Sequence, residues 1–327
     1  MRVIDFHNHY YPPQYLKLLQ EGPSQIQVTY DSEKNPLLHY PGDYNILVPA
    51  HRDIDCRQAY LATTGVDMQV LSFTSPGCHV ESPSLAARIA RQVNDEFARI
   101  VRERKDRFTA LATLPLNDPQ ASVEEFERAT SELGFRGCML FSNVNGTPLS
   151  DPCYWPLYEK ANQSEAVFYI HPIHPVGVEA MTEYWLMPLV GFPFDTTLAA
   201  AKLVFSGVVE RFPRIRWVLA HLGGAIPYLA ERLDRGYAAF KDCRQNIPRP
   251  PSEYLKRFYY DTVNFDPNCL KLALDFAGAD QVLAGSDYPH QIGSIEQMLE
   301  SIESLSLGDE ERRKVLGGNT ARLLGLE

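Results

Sequence analysis

Two histidines stand at the end of the first apolar segment of the chain, MRVIDFHNH. Val3, Ile4 and Phe6 predict a short buried strand, and His7 and His9 follow with a spacing of two residues. Side chains two residues apart on a strand point to the same face. The two imidazoles can therefore bind one divalent metal ion, although a surface strand with two unconnected histidines would give the same pattern.

Three more residues of metal-binding types come at or just beyond the ends of later apolar segments. They are His171, His221 and Asp287. Imidazole nitrogens and carboxylate oxygens are ligands that suit zinc, and manganese or another first-row metal also accepts them. The residues therefore predict a metal centre if the fold brings these segment ends together.

Short apolar or β-branched segments recur along the chain with helical patterns between most of them. After the first strand, the segments are 68–73, 108–113, 136–141, 167–170, 216–220, 257–261 and 282–285. Helices are predicted at 84–104, 120–132, 155–161, 197–212, 225–240, 267–276, 294–304 and 309–324. Eight strands alternating with helices predict an α/β fold, a (β/α)8 TIM barrel, in which chemistry occurs at the carboxyl ends of the strands. An open doubly wound sheet would more often have a glycine-rich phosphate turn after its first strand.

We expect a single barrel domain over residues 1–327, with an insertion at about 10–66. Segments 26–30 and 37–40 flank a turn-prone stretch, and this pattern predicts a small β-hairpin after strand one. A hairpin at this point would lie at the mouth of the barrel and act as a lid. A surface excursion without function is the alternative.

Charge and hydropathy exclude several classes of partner. The net charge is −10 and no basic run stands out, which argues against nucleic acid or an anionic membrane. No apolar stretch approaches the roughly 18 residues that span a bilayer, and the first residues do not resemble a secretion signal. We therefore expect a cytoplasmic protein that acts on a small molecule.

The strand-four segment bears on the number of metal ions. A binuclear site in such a barrel commonly uses a carboxylated lysine at the end of strand four. No lysine occurs between Lys105 and Lys160, so one metal ion is expected.

Several longer segments resemble the amidohydrolase superfamily and, within it, the group of aminocarboxymuconate-semialdehyde decarboxylase-like enzymes (amidohydrolase-2). The segments are YWLMPLVGFP at 184–193, HLGGAIPYLAERLD at 221–234, PRPPSEYLKRFYYD at 248–261 and LAGSDYPH at 283–290. Together with the initial His-x-His and the histidine after strand five, they extend the resemblance over nearly the whole chain.

The resemblance implies specific roles at the metal centre. His7, His9, His171 and Asp287 would bind one divalent metal ion per subunit, which would be zinc or, alternatively, manganese. His221 would be the acid/base beside a water molecule in an open metal position. Asp287 is the alternative proton donor.

The resemblance also implies residues that bind the substrate. Arg232 would reach into the site of a neighbouring subunit and hold a substrate carboxylate, which implies a homodimer. Trp185 would form an aromatic wall, and His290 replaces an aromatic residue of the related enzymes at a position that can contact substrate. A second arginine binds substrate in those enzymes, and either Arg52 or Arg57 is a candidate.

The implied activity is metal-dependent, non-oxidative decarboxylation of a small aromatic or unsaturated carboxylic acid by a carbon–carbon lyase. Hydrolysis of a lactone, ester or amide is the alternative, and hydration of a double bond is a third possibility, because the same groups activate water. A non-catalytic metal-binding barrel is a different class, against which His221 beside an open metal position argues.

Overall fold

The computed structural model describes residues 2–40 and 43–326. The strands of this part of the chain are β1 Ile4–His9, β2 Gln27–Tyr30, β3 Pro36–Tyr40, β4 Asp43–Ile46, β5 Met68–Ser72, β6 Phe108–Ala110, β7 Gly137–Phe141, β8 Asn143–Val144, β9 Thr147–Pro148, β10 Val167–His171, β11 Arg216–Leu219, β12 Tyr259–Asp261 and β13 Val282–Leu283. The α-helices are α1 Pro13–Gln20, α2 Pro49–Arg52, α3 Ile54–Leu61, α4 Pro83–Glu103, α5 Pro119–Ser131, α6 Trp155–Ser164, α7 Phe192–Phe205, α8 Val208–Arg211, α9 Ile226–Ala239, α10 Pro251–Leu255, α11 Pro267–Ala277, α12 Ile295–Glu303, α13 Asp309–Arg313 and α14 Asn319–Leu324.

Parallel strands form in all eight segments that the sequence marks. Strands β1, β5 and β6 pair in one sheet, and β7, β10, β11, β12 and β13 pair in the order β13-β12-β11-β10-β7 in a second. Backbone hydrogen bonds join the two sheets at both junctions: Phe6 N donates to Ala284 O at 2.8 Å, and Ala112 N donates to Gly137 O at 3.0 Å. The predicted α/β class is confirmed, and the carboxyl ends of the parallel strands lie at one end of the fold.

Local signals account for the helices on the outside. Helix α4 buries Ile89, Val93 and Phe97 at spacings of four residues, which is the apolar stripe of a helix that covers a sheet. Helices α5 and α11 begin after Asp118 and Asp266, whose carboxylates accept hydrogen bonds from backbone amides of the first turn. In both helices a proline follows the aspartate at the first helical position, where its missing N–H leaves no hydrogen bond unmade.

A glycine divides the first of two predicted helices that the structure splits. The sequence predicts a helix over residues 197–212, whereas the structure has α7 and α8 with Gly207 between them. Gly207 has a φ of 82°, a left-handed conformation that ends a helix and that glycine adopts without steric cost.

The insertion after β1 contains more structure than the predicted hairpin. Strands β2 and β3 pair antiparallel, and a third strand, β4, pairs with β3 through Leu37 and Ile46. Strand β4 is four residues long and mixes polar with apolar residues, DYNI, so its sequence does not stand out as a strand. Helices α1, α2 and α3 complete the insertion.

Among the described residues, none of the helices combines the length and the apolar character needed to cross a membrane.

Candidate metal centre and its pocket

The two histidines of β1 converge with an aspartate that follows β13. His7 Nε2 lies 3.0 Å from His9 Nε2, and Asp287 Oδ1 lies 3.2 Å from the former and 3.1 Å from the latter. All three residues are buried. Two imidazole nitrogens and a carboxylate oxygen so close together require a proton or a cation between them, because their lone pairs otherwise repel.

The backbone after β13 is held against β1, and this holds Asp287 in place. Asp287 N donates to His7 O at 2.7 Å, and Asp287 has a φ of 58°. Non-glycine residues with positive φ are uncommon and cluster at functional sites. At Gly285, a Cβ atom would lie 2.7 Å from His7 Cβ, so this close approach requires glycine.

His171 and His221 complete the cluster from β10 and from the turn after β11. One ring nitrogen of each, together with one of His7, lies within a group whose atoms are all within 4.8 Å of one another. His221 and Leu222 have φ values of 53° and 56°, and their backbone amides donate to Asp261 at 3.1 and 3.0 Å. The strained turn therefore points the His221 ring towards the cluster.

Asp261, which ends β12, is a site residue that the sequence reasoning missed. Its Oδ2 lies 2.6 Å from His7 Nδ1, and both residues are fully buried. A carboxylate on the second nitrogen of a ligating histidine fixes its tautomer and ring orientation. The signal was present, since Asp261 is the last residue of the predicted strand 257–261.

The charges of these groups are coupled. Burial would lower the pKa of His7, but the carboxylates of Asp261 and Asp287 raise it to about 10. Burial would raise the pKa of Asp287, but the hydrogen bond and charge of His7 hold it well below its usual range. Burial lowers the pKa of His171, and lowers that of His221 to about 4. A carboxylate and neutral imidazoles are the forms that bind metals. Asp287, His171 and His221 are already in these forms near neutral pH, and a metal ion would displace the proton that the two carboxylates hold on His7.

The arrangement fits a divalent metal ion. The Nε2 atom of His171 is buried and has no hydrogen-bond partner among the described residues, and it is directed towards the cluster by a contact of its Nδ1 with Pro172 O at 2.8 Å. Such an unpartnered buried nitrogen is explained by a ligand. Two groups of possible ligands share His7: one contains His9 and Asp287, and the other contains His171 and His221. Imidazole nitrogens and a carboxylate oxygen suit a divalent first-row metal ion.

The cluster lies at the base of a pocket of about 540 Å³. His171, His221 and Asp287 line it. The apolar and aromatic part of the lining includes Val48, Trp185, Pro188, Leu189, Phe192, Val263 and Phe265, and the polar part includes Asn45, His51, Thr74, Ser75, Asn264, His290 and Gln291. A flat ligand with few polar groups matches such a lining.

The insertion forms one wall of this pocket. Tyr44 of β4 lines it, and its ring lies 5.2 Å from the ring of Trp185, centroid to centroid. Trp185 is half-exposed and has a φ of 56°. Tyr44 thus places part of the insertion beside the pocket, and both the predicted position of the insertion at the mouth and its action as a lid stay predictions.

The three arginines singled out from the sequence lie outside the lining of the pocket. Arg57 is fully buried and bonds to Asn8, to Gln69 and to the carbonyl of His9. Arg52 donates to the carbonyl of Leu47 at 3.1 Å. Arg232 is exposed on α9, so any contact of it with substrate has to occur in another subunit.

Comparison with known proteins places this site in a family. The family model described as "Amidohydrolase" matches residues 4–326. The 2-amino-3-carboxymuconate-6-semialdehyde decarboxylase of Dictyostelium discoideum is 36% identical over 280 residues, which cover 84% of this chain and 77% of that protein.

Solved structures agree with this match. The 5-carboxyvanillate decarboxylase of Sphingomonas paucimobilis superposes with a TM-score of 0.86 at 26% identity and covers 99% of both chains. A dihydroxybenzoic acid decarboxylase of Polaromonas sp. JS666, solved with manganese and the inhibitor 2-nitroresorcinol, has a TM-score of 0.83 at 27% identity and covers 99% of this chain and 97% of its own.

Proposed function

The chain belongs to the amidohydrolase family, and on that basis we propose that it catalyses the metal-dependent, non-oxidative decarboxylation of a small aromatic or unsaturated carboxylic acid. The relatives named above are all decarboxylases. The observation that carries the proposal is the convergence of His7, His9 and Asp287, whose donor atoms lie within 3.2 Å of one another below an apolar pocket.

One divalent metal ion would be held by His7, His9, His171 and Asp287. We propose zinc, because three imidazole nitrogens and one carboxylate oxygen are typical zinc ligands; manganese, present in the Polaromonas enzyme, is the alternative. When bound, the ion supplies a Lewis acid that orients the substrate carboxylate and an adjacent oxygen.

We assign proton transfer to His221, with Asp287 as the alternative donor. The Nδ1 atom of His221 is buried and has no hydrogen-bond partner among the described residues, so it is available to substrate or water. A proton delivered to the ring carbon that bears the carboxylate forms a C–H bond. The C–C bond to the carboxylate then breaks, its electron pair restores conjugation, and CO₂ leaves.

The anionic end of the substrate calls for a cation, and none of the described residues that line the pocket is Lys or Arg. We propose a homodimer in which Arg232 of each subunit serves the site of the other. Exposed apolar side chains support such an interface. Tyr228 lies on α9, the helix that carries Arg232, and the others lie on or before α7: Val176, Leu189, Val190, Phe194 and Leu198. A cytoplasmic location and a small-molecule substrate are part of the same proposal.

Proton NMR in D₂O tests the function. Metal-loaded protein is incubated with hydroxybenzoates, carboxymuconate-type dienes and simple lactones, and the His221→Asn variant serves as control. We expect a product that lacks CO₂ and carries deuterium at the former carboxylate carbon. Ring opening of a lactone without loss of carbon would make the protein a hydrolase instead.

The identity of the metal is tested separately. Protein stripped by a chelator is reloaded with Zn²⁺ or Mn²⁺, and the rate of CO₂ release is compared. We expect the faster turnover with Zn²⁺; faster turnover with Mn²⁺ would replace zinc in the proposal.

A further inference from the structure

A histidine that the mechanism does not use lies buried in the wall of the pocket. His51, in helix α2, is 1% exposed and lines the pocket, and neither of its ring nitrogens has a hydrogen-bond partner among the described residues. An imidazole has one donor and one acceptor nitrogen when neutral, and leaving both unpaired in a protein interior is costly. A ligand in the pocket would satisfy them.

The position of His51 is tightly determined. Its amide donates to Val48 O at 2.9 Å, and its carbonyl accepts from Tyr11 N at 2.7 Å. Its ring packs between the rings of Tyr11 and His290, at centroid distances of 5.6 and 4.9 Å. These contacts hold the imidazole at the pocket wall.

His290 connects His51 with the metal centre. Its ring centroid is 4.9 Å from that of His9 on one side and 4.9 Å from that of His51 on the other, and it also lines the pocket. A substrate held at the metal centre therefore has two adjacent imidazoles beside it, on the wall formed by α2 and by the segment after β13.

We propose that His51 and His290 form a subsite that hydrogen-bonds an uncharged hydroxyl group of the substrate, beside the carboxylate that is lost. The proposal rests on the proposed function and adds two residues that would select among its substrates by a hydroxyl group.

The chemistry of the wall favours a hydroxyl group over a second carboxylate. A hydroxyl group both donates and accepts, as a neutral imidazole does, whereas a carboxylate only accepts. Burial, together with the charges of His290 and Arg57, lowers the pKa of His51 well below its usual value, so His51 is neutral. None of the described lining residues is Lys or Arg, and the proposed metal ion and Arg232 are both assigned to the carboxylate that is lost, so a second buried carboxylate would be left unpaired.

Binding of a matched series of ligands to the metal-loaded, full-length protein tests the subsite. Calorimetry would give the dissociation constants of benzoate and of 2-, 3- and 4-hydroxybenzoate for the wild type and for His51→Leu. We expect at least one hydroxyl group to tighten binding to the wild type. In His51→Leu that gain should fall roughly tenfold, while the affinity for benzoate itself stays within about twofold.

The matched control is His79→Leu. His79 is also a buried histidine with an unpartnered Nδ1, but it is not among the residues that line the pocket. The His79→Leu variant should retain the tighter binding that the hydroxyl group causes. His51→Gln, which keeps a donor and an acceptor, should recover part of the lost gain, and His290→Phe should lower it even if His51→Leu does not fold.

Two results would overturn the subsite: no hydroxybenzoate binds the wild type more tightly than benzoate, or the gain survives in both His51→Leu and His290→Phe. CO₂ release is measured in parallel. If binding gains from a hydroxyl group in a way that depends on His51 but no CO₂ is released, the proposed function is rejected and the subsite is kept. If CO₂ is released but that gain in binding is absent, the subsite is rejected and the proposed function is kept.

Discussion

Asp261 Oδ2 lies 2.6 Å from His7 Nδ1, although the two residues are 254 positions apart in the chain. The contact ties the ends of β1 and β12 together and directs the other nitrogen of His7 towards His9 and Asp287. The orientation of the metal centre therefore depends on a carboxylate that is not one of the proposed ligands.

Replacing Asp261 with Asn should weaken metal binding. The amide oxygen would still accept from the backbone amides of Leu222 and Val263. The NH₂ group in place of Oδ2 would face His7 Nδ1 and the His221 amide, and it would favour the wrong tautomer of His7. Loss of such a partner costs about 10- to 100-fold in metal affinity or activity. Metal affinity is measured by competition with a chelator, with Asp195→Asn as the control, since Asp195 is buried and bonds to Ser142 instead. Equal affinities for the two variants would contradict the role of Asp261.

Replacing His171 with Asn should remove a ligand. We expect metal affinity to fall at least tenfold, because one of four protein donors is lost. His174→Asn is the control: His174 lies three residues further along and is exposed. Metal content after dialysis against a chelator, measured by atomic emission, checks the pair. Retention of metal by His171→Asn at the level of His174→Asn would remove His171 from the ligand set.

Replacing His221 with Asn should separate catalysis from metal binding. Loss of a general acid/base typically costs about 10²- to 10⁴-fold in rate, so turnover should fall by about that factor while the metal content stays unchanged. Both quantities are measured on the same sample. Persistent turnover would refute the acid/base role, and a simultaneous loss of metal would reassign His221 as a ligand.

Mixing two inactive variants should restore activity if the subunits share sites. Arg232→Ala keeps its own metal centre, and His221→Asn still supplies Arg232 to its partner. After subunit exchange, one site of each mixed dimer is complete, so part of the wild-type turnover should return. Arg235→Ala on the same helix is the control and should be active alone, because Arg235 is exposed and pairs with Glu231. A monomeric protein in light scattering, or no recovery after demonstrated exchange, would contradict the shared site.

His79 should make the folded state less stable in acid. Burial lowers its pKa from 6.5 to about 4, so between these values the unfolded chain binds a proton that the folded one does not. The free energy of unfolding should therefore fall as the pH decreases from about 6.5 to 4, by on the order of 3 kcal/mol from this residue. Urea denaturation across this range should show a smaller decrease for His79→Leu. Parallel curves for the two proteins would contradict the prediction.

Local patterns in the sequence were sufficient for the main elements of the fold and for the five candidate residues of the metal centre. Their division into ligands and an acid/base came from the resemblance to the amidohydrolase superfamily. The segments that form the eight parallel strands are apolar or β-branched, and each candidate residue of the metal centre stands at or just beyond a strand end. A strand has a period of two, and parallel strands have their carboxyl ends at the same side. His7, His9, His171, His221 and Asp287 could for this reason be expected to meet before any contact was known.

Tertiary structure decided what depends on contacts between distant segments. The orientation of His7 by Asp261, the close approach of Gly285 to β1 and the third strand of the insertion involve partners or neighbours that no local pattern identifies. His51 lies in a four-residue helix, where a histidine has no distinctive spacing. Its importance arises only because packing buries both ring nitrogens against a pocket. Burial is a property of the assembled fold, and the energetic cost of an unpaired polar group appears only once water has been excluded from it.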